Sequence, residues 1–231
     1  MSHPVCKNCG ATNDVSKAIC PYCKSSLGPA AEKSTASSAD SSLGSINRLY
    51  LEGKLDQAVH LIAAALKDKP TLEEDVGFLI LQSKCLIETE APNAKIKAVL
   101  HKACLLAPKN LEVIDYLEII DAKEKLEFVS KILGEQALEK VIRRSPKNPH
   151  AHFLMGAHLF WIRNNHEQAQ HHLKQAISSR PNLLRAWACL GALYRLTGQE
   201  EQAVRAFRKC LELETNPQMI QYFKSLLHSA A

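Results

Sequence analysis

Four cysteines near the N-terminus stand in two pairs, Cys6-x-x-Cys9 and Cys20-x-x-Cys23, with ten residues between the pairs. A Cys-x-x-Cys segment can fold into a tight knuckle that presents both sulfurs to one metal. Two knuckles complete a tetrahedron of thiolates with no open position, which is the structural form of a zinc site rather than the catalytic form. Gly10 can supply a positive φ after the first pair, and Pro21 stiffens the second. Val5, Ile19, Tyr22 and Leu27 are nearly all the apolar material at hand. A segment this small needs a staple, and zinc binding of roughly 10–16 kcal/mol would be most of its folding free energy. The expected cofactor is one structural Zn²⁺ on Cys6, Cys9, Cys20 and Cys23, with iron in a similar four-sulfur site as the rival.

The other four cysteines, Cys85, Cys104, Cys189 and Cys210, are scattered through apolar helical pattern. A buried free cysteine behaves as a small hydrophobe. Six of the ten histidines fall between His150 and His172: His150, His152, His158, His166, His171 and His172. They read as polar positions on helix faces, against the sharper reading of a second metal site or a pH sensor. No nucleophile motif, glycine-rich phosphate loop or pair of catalytic carboxylates is present, so no enzymatic activity is expected.

The elements that position these residues divide the chain. Residues 1–28 hold the cysteine module. Residues 29–44 are rich in serine and alanine and read as a flexible linker with a reach on the order of 20 Å. From residue 45 on, apolar helical pattern is punctuated by proline. Apolar content is 46% and aromatic content 6%, which favours helix-on-helix packing. Two segments align: PHAHFLMGAHLFWIRNNHEQAQHHLKQAISSRP from Pro149, and LRAWACLGALYRLTGQEEQAVRAFRKCLELETNP from Leu184. Gly156 matches Gly191, Ala169 matches Ala203, Leu173 matches Phe207 and Ala176 matches Cys210. The small residues sit where two antiparallel helices cross closely. Gly198, and the pair Asn164-Asn165, end the first helix because they tolerate the left-handed conformation.

Trp187-x-x-Leu190-Gly191-x-x-Tyr194, followed by Gly198, Ala203, Phe207 and Cys210, resembles the tetratricopeptide repeat (TPR) at about its 34-residue period. Residues 46–70 carry a third copy, with Gly53, Ala58 and Pro70 at the same mutual spacing. Leu72–Pro108 fits a divergent pair, with Ile96 where alanine is expected. Residues 110–148 depart furthest, with Ala137 and Pro149 keeping the spacing. The resemblance implies an all-α solenoid over 45–216, about five helical pairs, and a capping helix over 217–229. It also implies that the first helix of each pair lines a concave groove. His150, Phe153, Ala157, Phe160 and Trp161, and Arg185, Ala188, Ala192, Arg195 and Leu196, would then face a partner. Family members that grip a C-terminal carboxylate use lysine and asparagine where Phe153, Ala157, Ala188 and Ala192 stand here. The expected ligand is therefore apolar or helical, with Arg185 and Arg195 at the rim. The cysteine segment is similar to the short zinc ribbons at the N-termini of many bacterial proteins.

The formal charge of +5 arises from lysine and arginine interspersed with glutamate. The ribbon offers only Lys7, Lys17, Lys24 and Tyr22, so nucleic acid is a disfavoured partner. There is no signal-peptide pattern and no run of about 18 apolar residues, so no direct membrane insertion is expected. Scattered free thiols suit the reducing cytoplasm. These readings converge on a non-catalytic, cytoplasmic, bacterial adaptor or assembly factor with one or more protein partners, self-association being left open. Two other readings stand beside it: a regulator whose ribbon touches nucleic acid, and an accessory subunit of an envelope, secretion or pilus machine.

Overall fold

A computed structural model of the chain describes residues 38–228, with side chains from Ser42 to Leu227. The four ribbon cysteines lie outside the described residues, as does most of the expected linker. The described residues form eleven α-helices and no strand: α1 (Ser38–Glu52), α2 (Leu55–Asp68), α3 (Val76–Glu88), α4 (Asn93–Leu106), α5 (Leu111–Glu124), α6 (Lys131–Arg144), α7 (Pro149–Trp161), α8 (His166–Ser179), α9 (Leu184–Leu196), α10 (Glu200–Leu213) and α11 (Pro217–His228). α3 to α10 pair as four antiparallel hairpins, and α1 runs into α2 through the turn at Gly53-Lys54. α1 begins at Ser38, inside the stretch expected as linker. Serine and alanine do not oppose a helix once Ile46 and Tyr50, further along the same helix, are buried.

The α7–α8 and α9–α10 hairpins close on small residues. A Cβ on Gly156 would stand 2.8 Å from Cγ of Leu173, and one on Gly191 would stand 2.6 Å from Cε1 of Phe207. Ala58, Ala169 and Ala203 occupy the facing position and are buried, and Ile96 holds the same place in α4. Helix starts are marked by side-chain caps. Oδ1 of Asn110 accepts from the N–H groups of Glu112 and Val113, and Oδ1 of Asn148 from those of His150 and Ala151. Each such cap is worth about 1 kcal/mol.

The α5–α6 hairpin corrects the sequence reading. Gly134, not Ala137, takes the crossing position, and a Cβ there would meet Cγ of Leu126 at 2.5 Å. Leu138 and Val141 follow it into the core, as Leu173 and Ala176 follow Ala169. Pro149 does not stop α6; it is the first residue of α7. The twelve-residue step from crossing residue to proline runs from Gly134 to Pro146, and the π-helical turn Lys125–Val129 that follows α5 carries Leu126 over Gly134.

The hairpins from α3 onward share one apolar seam, which runs from Leu79 in α3 to Phe223 in α11. The array also turns back on its own beginning. Arg180, at the end of α8, sends Nη2 to the carbonyl of Tyr50 at 2.6 Å. Asn182 donates to the carbonyl of Leu51 at 2.8 Å, and the Thr215 hydroxyl donates to Asp56 at 2.9 Å.

Candidate functional site: an apolar groove

Three helices each turn one stripe toward a common groove. α7 contributes Phe153, Ala157, Phe160 and Trp161. α9 contributes Arg185, Ala188, Cys189, Ala192, Arg195 and Leu196. α11 contributes Met219, Tyr222, Phe223 and Leu226, and Phe207 reaches in from α10. The spacings are those of a single helix face in each case. The cavity measures about 840 Å³, within the range of sites that hold a sizeable ligand. Phe153, Phe160, Cys189, Phe207 and Phe223 are buried and form the floor. Trp161 is 63% exposed and Leu196 64%, and Met219 and Tyr222 are exposed as well. Large apolar side chains held in water beside a packed aromatic floor mark a surface shaped to be covered.

Nine of the ten residues expected in the groove line it. The tenth, His150, lies in the interior at 2% exposure. Its Nε2 stands 3.2 Å from Oε1 of Glu88, and its Nδ1 3.3 Å from the Tyr116 hydroxyl. Glu88 also takes two hydrogen bonds from Arg180, at 3.0 and 3.1 Å. Burial opposes the charge on Glu88, but the hydrogen bonds and positive charge from His150 and Arg180 outweigh it and hold the carboxyl down at about 2. Arg180 also stacks over the Tyr50 ring at 3.8 Å. These buried ionic groups join α1, α3, α5, α7 and α8 and do not reach the groove.

Sequence reasoning missed the α11 wall. Met219, Tyr222, Phe223 and Leu226 follow the i, i+3, i+4, i+7 pattern, which is the signal that α11 presents one face as the other first helices do. α11 also packs on α10 and buries Phe223, as a cap would. Arg185, expected at the rim, does line the groove. Its guanidinium lies 4.7 Å over the Phe153 ring and 2.6 Å from Glu90, which sits outside the groove at φ 55°.

Among the other clustered histidines, His158, His152 and His172 have hydrogen-bond partners, whereas Nε2 of His166 is buried without one and its ring packs on Phe160. Nε2 of His158 lies 2.6 Å from Glu135, which also takes two hydrogen bonds from Arg163. His152 and His172 bring their Nδ1 atoms to 3.0 Å. Among the described residues, no three His, Cys, Asp or Glu side chains gather into a set that could hold a metal. No helix among them is long and apolar enough to cross a membrane.

Fold and groove together define a helical-hairpin repeat protein with a concave apolar surface. Residues 184–217, which form α9, α10 and the turn after them, match the tetratricopeptide repeat family. Solved structures with similar helical arrays include MamA, at 21% identity over 75% of this chain and 90% of that one, with a TM-score of 0.40. A thermophilic TPR protein of Thermus thermophilus is 19% identical over 82% of this chain and 97% of that one, with a TM-score of 0.49. YrrB, described as a TPR protein with an unusual peptide-binding site, is 15% identical over 80% and 90%, with a TM-score of 0.41. No curated protein matches the chain in sequence.

Proposed function

We propose that this chain is a non-catalytic interaction protein whose groove between α7, α9 and α11 takes an apolar or helical segment of a partner protein. The observation that carries the reading is the convergence of three one-faced stripes on a single groove with Trp161, Leu196 and Tyr222 exposed at its edges. Helix-in-groove recognition uses this arrangement, in which the partner's apolar side chains exchange water for an aromatic floor. In the same reading, Cys6, Cys9, Cys20 and Cys23 hold one structural zinc ion, and the ribbon they fold docks on a second surface. Two modules on one tether raise local concentration when both engage. Cytoplasmic residence fits the free thiols at Cys85, Cys104, Cys189 and Cys210.

The test joins affinity purification of the full-length chain with metal analysis. A Trp161→Ala/Leu196→Ala/Tyr222→Ala variant should lose the partners that wild type retains while its circular dichroism stays helical. Retention of the same partners would refute the groove assignment. Elemental analysis should find one zinc per chain and none in Cys6→Ser/Cys20→Ser. Iron, or no stoichiometric metal, would refute the zinc reading alone.

A further inference from the structure

We propose that the turn between α5 and α6 is a self-association surface, and that its occupant is the same turn of a second copy of this chain. The inference is independent of the groove reading.

The connection differs from its four counterparts. The chain passes from α1 to α2, from α3 to α4, from α7 to α8 and from α9 to α10 through one residue in the left-handed region, respectively Gly53, Glu90, Asn164 and Gly198. One such residue is enough to reverse the chain after a helix. Between α5 and α6 no residue has a positive φ, and the chain instead makes the π-helical turn Lys125–Val129. Such turns are rare and recur at functional sites. This one has a fixed shape. The Ser130 N–H donates to the carbonyl of Lys125 at 2.8 Å, and Ser130 Oγ accepts from the Leu133 N–H at 3.5 Å. Leu126 is held inward against Gly134.

With Leu126 inward, the residues after it turn to solvent. Phe128 is 80% exposed and Val129 71%, and Ile132 and Leu133 at the start of α6 are exposed as well. No other six-residue stretch among the described residues exposes four large apolar side chains. Together they hold roughly 400–500 Å² of apolar surface in water, the size of patch that marks an interaction site.

Charge decides the occupant. Every acid of α5 has a base beside it. Glu112 meets Lys84, Asp115 and Glu118 meet Arg144, and Asp121 and Glu124 meet Lys97. In α6, Glu135 meets Arg163. Between these paired groups, Lys125, Glu127 and Lys131 have no ion-pair partner among the described residues. The apolar patch is thus flanked by unmet charge of both signs. A two-fold contact requires that, because one patch then meets its own image. Glu127 of one copy faces a lysine of the other, and symmetry forms the same pair in reverse. An anionic lipid surface would call for bases alone, and Glu127 sits directly beside Phe128. Two such patches with their rims would bury on the order of 1,000 Å², the low end for specific interfaces. The dimer is therefore weak and depends on concentration.

The experiment is sedimentation equilibrium of the full-length chain from about 1 to about 300 µM. Monomer and dimer should exchange with a Kd on the order of 10–100 µM. Phe128→Ser/Ile132→Ser should weaken dimerisation by about tenfold or more, with circular dichroism unchanged because both side chains already face water. Trp161→Ala, in the groove, should leave the dimer intact. Glu127→Lys alone, and Lys125→Glu/Lys131→Glu alone, should each weaken self-association several-fold by setting like charges together. An equimolar mixture of these two variants should associate at least as tightly as wild type. A wild-type chain that stays monomeric over the whole range overturns the proposal. So does a dimer that survives Phe128→Ser/Ile132→Ser or that is lost with Trp161→Ala. A mixture of the charge variants that stays monomeric overturns the two-fold pairing. Flotation with phosphatidylserine vesicles tests the other occupant. Vesicle binding that disappears with Phe128→Ser/Ile132→Ser would assign the patch to a lipid surface and overturn the choice of a second copy.

Discussion

His152 and His172 share a hydrogen bond whose direction follows from their surroundings. Nε2 of His152 lies 3.0 Å from the carbonyl of Pro146, so that nitrogen carries the proton. In the neutral ring Nδ1 is then a bare acceptor, and it takes the Nδ1–H of His172 at 3.0 Å. Burial, then the nearby His152 and His171, push His172 down to about 4. Burial also lowers His152. The unfolded chain binds these protons near pH 6.5 and the native chain only at lower pH, so acid favours unfolding between the two values. Stability should be flat above about pH 6.5 and fall as pH drops toward 4. His172→Gln keeps a donor toward His152 and removes one titration. In urea titrations at pH 7 and pH 4.5, the variant should lose about 1–2 kcal/mol less than wild type over that interval. Equal losses would assign the acid sensitivity to other groups. The pairing was not legible in the sequence, because positions 20 residues apart meet only when α7 folds onto α8.

At the scale of the element, hairpin geometry is set by what the crossing residue lacks. In α7 the missing side chain at Gly156 admits Leu173, and a Cβ there would also stand 3.1 Å from the carbonyl of Ala169. Backbone cannot yield as a rotamer can, so Gly156→Val should force α7 and α8 apart at a cost of about 1–3 kcal/mol. Leu173→Ala in the same chain should restore part of it, and thermal denaturation of the two variants beside wild type checks this. Such crossings are legible where glycine and alanine repeat at a fixed period, as at Gly156, Gly191, Ala169 and Ala203. They were misread in the α5–α6 hairpin, where twelve residues back from Pro149 is Ala137 and the same step from Pro146 is Gly134. No simple spacing rule announces the π-helical turn at Lys125–Val129 that sets Leu126 over Gly134. The role of α11 was half legible: its apolar stripe was plain, but a stripe does not say whether it caps a core, lines a groove or, as here, does both.

For the whole described array, the largest structural consequence comes from one arginine. Arg180 ties the end of α8 to Glu88 in α3 and to the carbonyl of Tyr50 in α1, across 92 and 130 residues of chain. Both charged side chains are buried. Arg180→Met removes one partner and leaves the Glu88 carboxylate in the interior, which should cost about 3–5 kcal/mol. Glu88→Leu added to Arg180→Met should recover much of that. Native-state hydrogen exchange should show α1 losing protection in the single variant, since the Tyr50 and Leu51 carbonyls each lose one donor from Arg180 and keep only Gly53 and Asn182. Unchanged protection in α1 would show that the contact with α8 does not hold that helix.

The sequence by itself determined the hairpins, because helix periodicity, capping asparagines and small crossing residues act within about 35 residues of one another. It also determined which face of α7 and α9 turns inward, and hence nine of the ten expected groove positions. The tertiary structure decided whatever depends on the accumulated angle between successive hairpins. That angle put α11 beside the groove, sent His150 inside to Glu88, and brought Arg180 back to Tyr50. Each hairpin adds a small rotation, and the sum is fixed by packing across the whole seam, where no local residue pattern carries it.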